Sequence, residues 1–151
     1  MLRSSRFLSK VIRTLSRPMT IEGTEPQQFM APFTDLLDRV LPPIQEPVLA
    51  SDRRIQFCAA INVAGYLPTH NAEYSEPQRP GEVAWNAMHS RNRRVFADRS
   101  GLAAARSTRD FLIQAYNRDL GDGRLIRLKE VDAPLIVSGR HWGAVRIGYT
   151  S

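Results

Sequence analysis

The stretch Ile55–Val63 constrains this chain more than any other feature. Ile55, Phe57, Ala59, Ile61 and Val63 alternate with Gln56, Cys58, Ala60 and Asn62, and a period of two marks a strand with one face buried. Any fold for the chain must therefore contain a sheet. Ala64-Gly65 makes a turn, after which Tyr66 to His70 is expected to return as the hairpin partner.

Further strands are expected in the C-terminal third. Phe111 to Tyr116 is apolar and ends at Arg118-Asp119, and Gly121-Asp122-Gly123 then forms a turn. Leu125 to Val131 follows, continuing past Ala133-Pro134 through Leu135-Ile136-Val137. Ser138-Gly139-Arg140 turns the chain into a last strand, His141 to Tyr149, with Val145 and Ile147 on one face and Arg146 on the other. Upstream, Phe29, Phe33, Leu36, Leu37, Val40, Leu41, Ile44 and Val48 form a helical stripe between Thr24 and Ala50, with Thr24 as N-cap. Pro42, Pro43 and Pro47 interrupt it, which predicts two helices or one kinked helix packed on the sheet. Residues 71–82 read as a loop, Val83 to Phe96 as a helix and Leu102 to Arg106 as a short helical turn. The order predicts an α+β fold.

The charge is distributed unevenly. Net charge is +6, from 21 Lys and Arg against 15 Asp and Glu. Arg3, Arg6, Lys10, Arg13 and Arg17 all precede the first acid, and removing these five leaves 16 basic against 15 acidic residues. The body is thus nearly neutral, which argues against a broad nucleic-acid footprint. The leader, residues 1–20, reads as a basic amphipathic helix ended by Pro18 and suited to an anionic membrane surface, or as a disordered extension. Its Arg and Lys interruptions exclude a secretory apolar core. At 151 residues and 42% hydrophobic the chain fits one domain, residues 21–151. A single Cys58 precludes an internal disulfide and suits the cytoplasm, possible surface attachment aside. No run approaches the roughly 18 apolar residues of a spanning helix.

No catalytic set is legible. His70, His89, His141 and Cys58 lack paired metal-ligand spacing, GxSxG and phosphate-loop motifs are absent, and Cys58 reads as a buried inert thiol. Haem held through one axial His stays open as an alternative. More informative is a polar, aromatic group interrupting apolar elements. It comprises Tyr66, His70 and Asn71 after the first strand, and Trp85, Arg91, Asn92, Arg93 and Arg94 on the middle helix. Tyr116, Arg118 and Asp119 follow, then Arg140, His141 and Trp142 at the last turn. Guanidinium groups beside Tyr and Trp rings suit a small anionic or aromatic ligand, through bidentate hydrogen bonds and stacking. The same residues could equally tie loops together.

Four blocks occur in order: Gly65-Tyr66-Leu67-Pro68-Thr69-His70-Asn71, Arg91-Asn92-Arg93-Arg94-Val95-Phe96, Phe111 to Asp119, and Gly139-Arg140-His141-Trp142-Gly143. Together they resemble the Cache/PAS-like sensory region of a group of bacterial methyl-accepting chemotaxis proteins, over about residues 21–149. The resemblance implies a PAS-like antiparallel sheet with an N-terminal helix, short helices between strands 2 and 3, and a small-molecule pocket on one sheet face. It implies signal input without catalysis. The positions it marks are Tyr66, His70, Asn71, Arg91, Asn92, Arg94, Arg118, Asp119, Arg140, His141 and Trp142, to which Tyr116 is added from the polar group. Where relatives carry an Asp before the Gly-Tyr pair, this chain has Asn62-Val63-Ala64. No sustained heptads supply a methyl-accepting coiled coil, so a receptor or partner protein, and a homodimer, are expected. A haem- or redox-responsive sensor and a ligand-free membrane-surface adaptor are the alternatives.

Overall fold

The computed structural model describes residues 18–151. The expectations for the leader over residues 1–17 lie outside the described residues. Strands β1 (Met19–Ile21) and β2 (Gln28–Met30) form a small antiparallel ribbon, followed by helices α1 (Thr34–Val40) and α2 (Pro42–Ser51). Strand β3 (Ile55–Asn62) and the short β4 (Tyr66–Leu67) come next, then helix α3 (Val83–His89), β5 (Arg94–Val95) and helix α4 (Arg99–Arg106). Strands β6 (Leu112–Asp119), β7 (Leu125–Val137) and β8 (Arg140–Tyr149) complete the fold. The central sheet is antiparallel in the order β3-β8-β7-β6, so the class is α+β. Among the described residues no helix is long and apolar enough to cross a membrane.

The period-two alternation of β3 does form a strand, but both of its faces are buried. One face carries Phe57, which packs with Leu67 and Leu128, and Ile61, which packs with Ala105 and Ala144. The other carries Ala60 against Phe33, Tyr66 and Trp142. Small side chains and satisfied amides permit this. The side-chain Oε1 of Gln45 accepts the Ala60 N–H, and the side-chain Oδ1 of Asn71 accepts the Cys58 N–H at 2.8 Å.

Several expectations are corrected. The helix expected from Thr24 begins only at Thr34, because Gln28–Met30 pairs with Met19–Ile21 instead. Thr24 caps no helix; its hydroxyl accepts the Gln28 N–H inside the ribbon loop. The proline-rich segment resolves into two helices, divided at Leu41. Tyr66–Leu67 pairs with Arg94–Val95 rather than with β3. The middle helix stops at His89, so Arg91 to Arg94 lie beyond it. At its end the His89 carbonyl accepts the Glu76 N–H, Ser90 bridges to Ser75 and the Arg91 N–H donates to the Tyr74 carbonyl, and further on Arg93 adopts a left-handed φ of 59° with its carbonyl accepting the Phe29 N–H. Strand β7 continues past Pro134 to Val137, as its sequence indicates, with an irregularity at Leu135/Ile136.

Candidate functional site

Strand parity sends Tyr116 and Arg118 of β6, Arg146 of β8 and Phe57 of β3 to one sheet face. Opposite that face lie Leu67, His70, Arg91, Arg94 and Phe96, and between the two layers is a cavity of about 250 Å³. Asp98 and Asp119, both exposed, stand at its rim.

Rings and carbonyls position the guanidinium groups of this cavity. Arg91 and Arg94 lie over the Phe96 ring at 5.3 and 5.0 Å, and both donate from Nη1 to the Ala87 carbonyl near the end of α3. Arg118 lies 4.5 Å over the Tyr74 ring, is 5% exposed, and has a buried Nε without a hydrogen-bond partner among the described residues. Among the described residues no carboxylate forms an ion pair with Arg91, Arg94 or Arg118. A ring fixes a cation without neutralising it, so the charge is held in place and left open to an anion.

The titration behaviour follows from this crowding. Burial, followed by the Arg118 and Arg94 charges, pulls Arg91 down to about 9, which still leaves it a cation at neutral pH. Arg94 is lowered by burial and by Arg118. His70 is held well below its ordinary value by burial and the four surrounding arginines, and is therefore neutral. Its Nδ1 accepts the Asn71 N–H at 2.8 Å, which leaves Nε2 to carry the ring proton. Burial pushes the Tyr116 hydroxyl up to about 12, with Glu130 adding to the shift, so Tyr116 stays a neutral donor.

Beneath the cavity, Arg146 belongs to a buried polar cluster. It binds Glu130 at 2.6 and 2.8 Å and stands 3.7 Å from Asp132. Gln114 Nε2 donates to both carboxylates and to the Ser100 carbonyl. Two carboxylates thus share one guanidinium, and Asp132 Oδ1 has no hydrogen-bond partner among the described residues. Burial raises Glu130 to about 7, against the pull of Arg146, and raises Asp132 as well.

Of the twelve residues singled out from sequence, the structure brings His70, Arg91, Arg94, Tyr116, Arg118 and Asp119 together at this cavity. The other six lie elsewhere. Tyr66 is fully buried, its hydroxyl bonded to Thr34 and to the Phe29 carbonyl. Asn71 ties β3 to α2 through Cys58 and Glu46, and Asn92 receives the Gln28 amide. Trp142 packs edge-on against Phe33 at 6.1 Å on the helix-covered side of the sheet. Arg140 is exposed on the β7–β8 hairpin and His141 is half-buried beside it. Trp85 and Arg93 are also absent from the cavity. Trp85 stacks on His89 and carries the Arg79 guanidinium over its ring, and Arg93 pairs with Asp38 at 2.7 Å.

Sequence reasoning missed Phe57, Phe96, Arg146 and the Glu130/Asp132 pair as site residues. Strand parity could have found the last three, because Glu130, Asp132 and Arg146 are polar on the face that Leu128 and Ala144 bury. Cys58 is buried as expected, and burial holds its thiol up at about 11. Among the described residues no group of three His, Cys, Asp or Glu is placed to hold a metal ion. Compared with known proteins, the chain matches no family model, no curated protein and no solved structure.

Proposed function

We propose that this chain is a non-enzymatic, small-molecule sensory domain of the Cache/PAS-like kind, and that its ligand is a small organic anion. One observation carries the ligand reading: Arg91, Arg94 and Arg118 converge on one cavity and are held by rings and a carbonyl, with no carboxylate partner among the described residues. Entry of an anion relieves their mutual repulsion and fills the vacant hydrogen-bonding capacity of Arg118, while Phe57, Leu67 and Phe96 cover the apolar part of the ligand. The antiparallel sheet, the helices ahead of β3 and the short helices between β4 and β6 support the sensory reading. A signal is the ligand's differential affinity for two packings of the domain, passed to a receptor or partner protein.

The test is a thermal-shift screen of the full chain and its Arg118→Met variant against small carboxylates, phosphorylated metabolites and uncharged analogues. A ligand at a hundred times its dissociation constant adds about 2.7 kcal/mol of stability, enough for a shift of several degrees. Anionic hits that stabilise the wild type and are lost in Arg118→Met are expected. Hits confined to uncharged compounds, or equal in both proteins, would overturn the reading.

A further inference from the structure

The ligand-binding reading leaves unused the free edge of the central sheet. Strand β6 pairs with β7 on one side and, among the described residues, with no strand on the other. A groove of about 600 Å³ runs along this edge, lined by residues 112–117 and by the start of α4 at Asp98, Arg99 and Ser100. Natural edge strands are blunted by proline, lysine, bulges or a cover. Strand β6 has none of the first three, pairs with β7 in unbroken register over eight residues, and leaves Ile113 58% exposed beside the 59% exposed Phe111. Its unpaired backbone groups call for an extended chain as occupant.

The sequence of the edge indicates which chain. Read from either end about Gln114, Leu112 to Tyr116 sets small against large side chains, and Arg109, in the bend that leads into β6, stands as many residues from Gln114 as Asp119 does. We propose that β6 pairs antiparallel with β6 of a second copy of this chain, about a two-fold axis at Gln114, and so joins the two sheets into one. In that register Ile113 faces the partner's Ala115 and Leu112 faces the partner's Tyr116. Exposed Arg109, in the bend just ahead of β6, comes beside the exposed Asp119 at the end of the partner's strand, and the symmetry gives this ion pair twice. Ala115 opposite Ile113 leaves room for the larger side chain on the outer face, where like residues would crowd. Because β6 also supplies Tyr116 and Arg118 to the cavity, the contact between copies runs along the strand that faces the ligand.

The test is sedimentation of the full chain over a micromolar to submillimolar series. The wild type is expected to dimerise, and Ile113→Lys to be monomeric with unchanged far-UV circular dichroism. Arg109→Asp should raise the dimer dissociation constant about tenfold by setting like charges opposite. The exchange Arg109→Asp with Asp119→Arg should restore it, an outcome that only the antiparallel register gives. A monomeric wild type would overturn the proposal. A dimer indifferent to Ile113→Lys, or an Arg109→Asp defect that the exchange leaves uncorrected, would overturn it as well.

Discussion

Among the described residues, a buried guanidinium at Arg118 leaves one donor without a partner, and a buried carboxylate at Asp132 leaves one oxygen without one. Such groups cost free energy, and here they stand on either side of the same inner sheet face. The Glu130–Asp132–Arg146 cluster gives a pH dependence of definite sign. The folded pKa of Glu130 is raised from 4.5 to about 7, so its contribution to stability is fully present below 4.5 and is lost as pH rises through 7. Glu130→Gln removes that slope. Denaturant unfolding of both proteins between pH 5 and pH 8 should show the wild type losing ground steadily to the variant, by at most about 3 kcal/mol, with no further change above the raised pKa. A constant difference across this range would contradict the assignment. His70 works in the opposite direction: its lowered pKa costs stability as pH falls below 6.5. The comparison with Glu130→Gln cancels that contribution. Asn71 supplies a second residue-scale prediction. Its side chain accepts the Cys58 N–H and donates to Glu46, so Asn71→Ala should cost about 1–3 kcal/mol in thermal unfolding while leaving anion affinity unchanged. A variant of normal stability that binds no anion would instead place Asn71 in the site.

At the scale of elements, what could be read from sequence depended on whether the local pattern also decided the tertiary pairing. Strand β3 and the β6–β7–β8 meander were legible because alternation and the glycine turns, such as Gly121 at φ +86°, specify them locally. The segment from Thr24 to Phe33 was misread because Phe29 and Phe33 fit a helical stripe. The fold instead spends Gln28–Met30 on a ribbon with Met19–Ile21, and fixes the Gln28 amide on Ser90 and Asn92. The end of α3 was missed for a related reason. Nothing in Arg91-Asn92-Arg93-Arg94 breaks a helix, and the chain leaves it for partners distant in sequence: Tyr74, Ser75 and Glu76 at His89 to Arg91, then Asp38 on α1 and Phe29 on β2 at Arg93. That correction shapes the site, because off the helix Arg91 and Arg94 can both turn back onto the Ala87 carbonyl and the Phe96 ring.

At the scale of the molecule, the candidate site was half legible. Residue type alone identified the arginines and Tyr116, but type does not say on which side of the sheet a residue falls. Trp142 and Tyr66 belong to the helix-covered side with Phe33, whereas Phe57, Arg146 and Glu130 belong to the cavity side. The polar-aromatic group therefore divides into a cavity set and a packing set, and sheet parity makes the division. The central claim is that the cavity set binds a small anion. It is tested most directly by observing the Nε–Hε NMR signals of the arginines as the best anionic hit from the thermal-shift screen is titrated into the full chain. The account predicts saturable shifts for Arg91, Arg94 and Arg118 with a common dissociation constant, while exposed Arg140 stays still. Shifts that spare those three arginines, or that appear equally at Arg140, would contradict it.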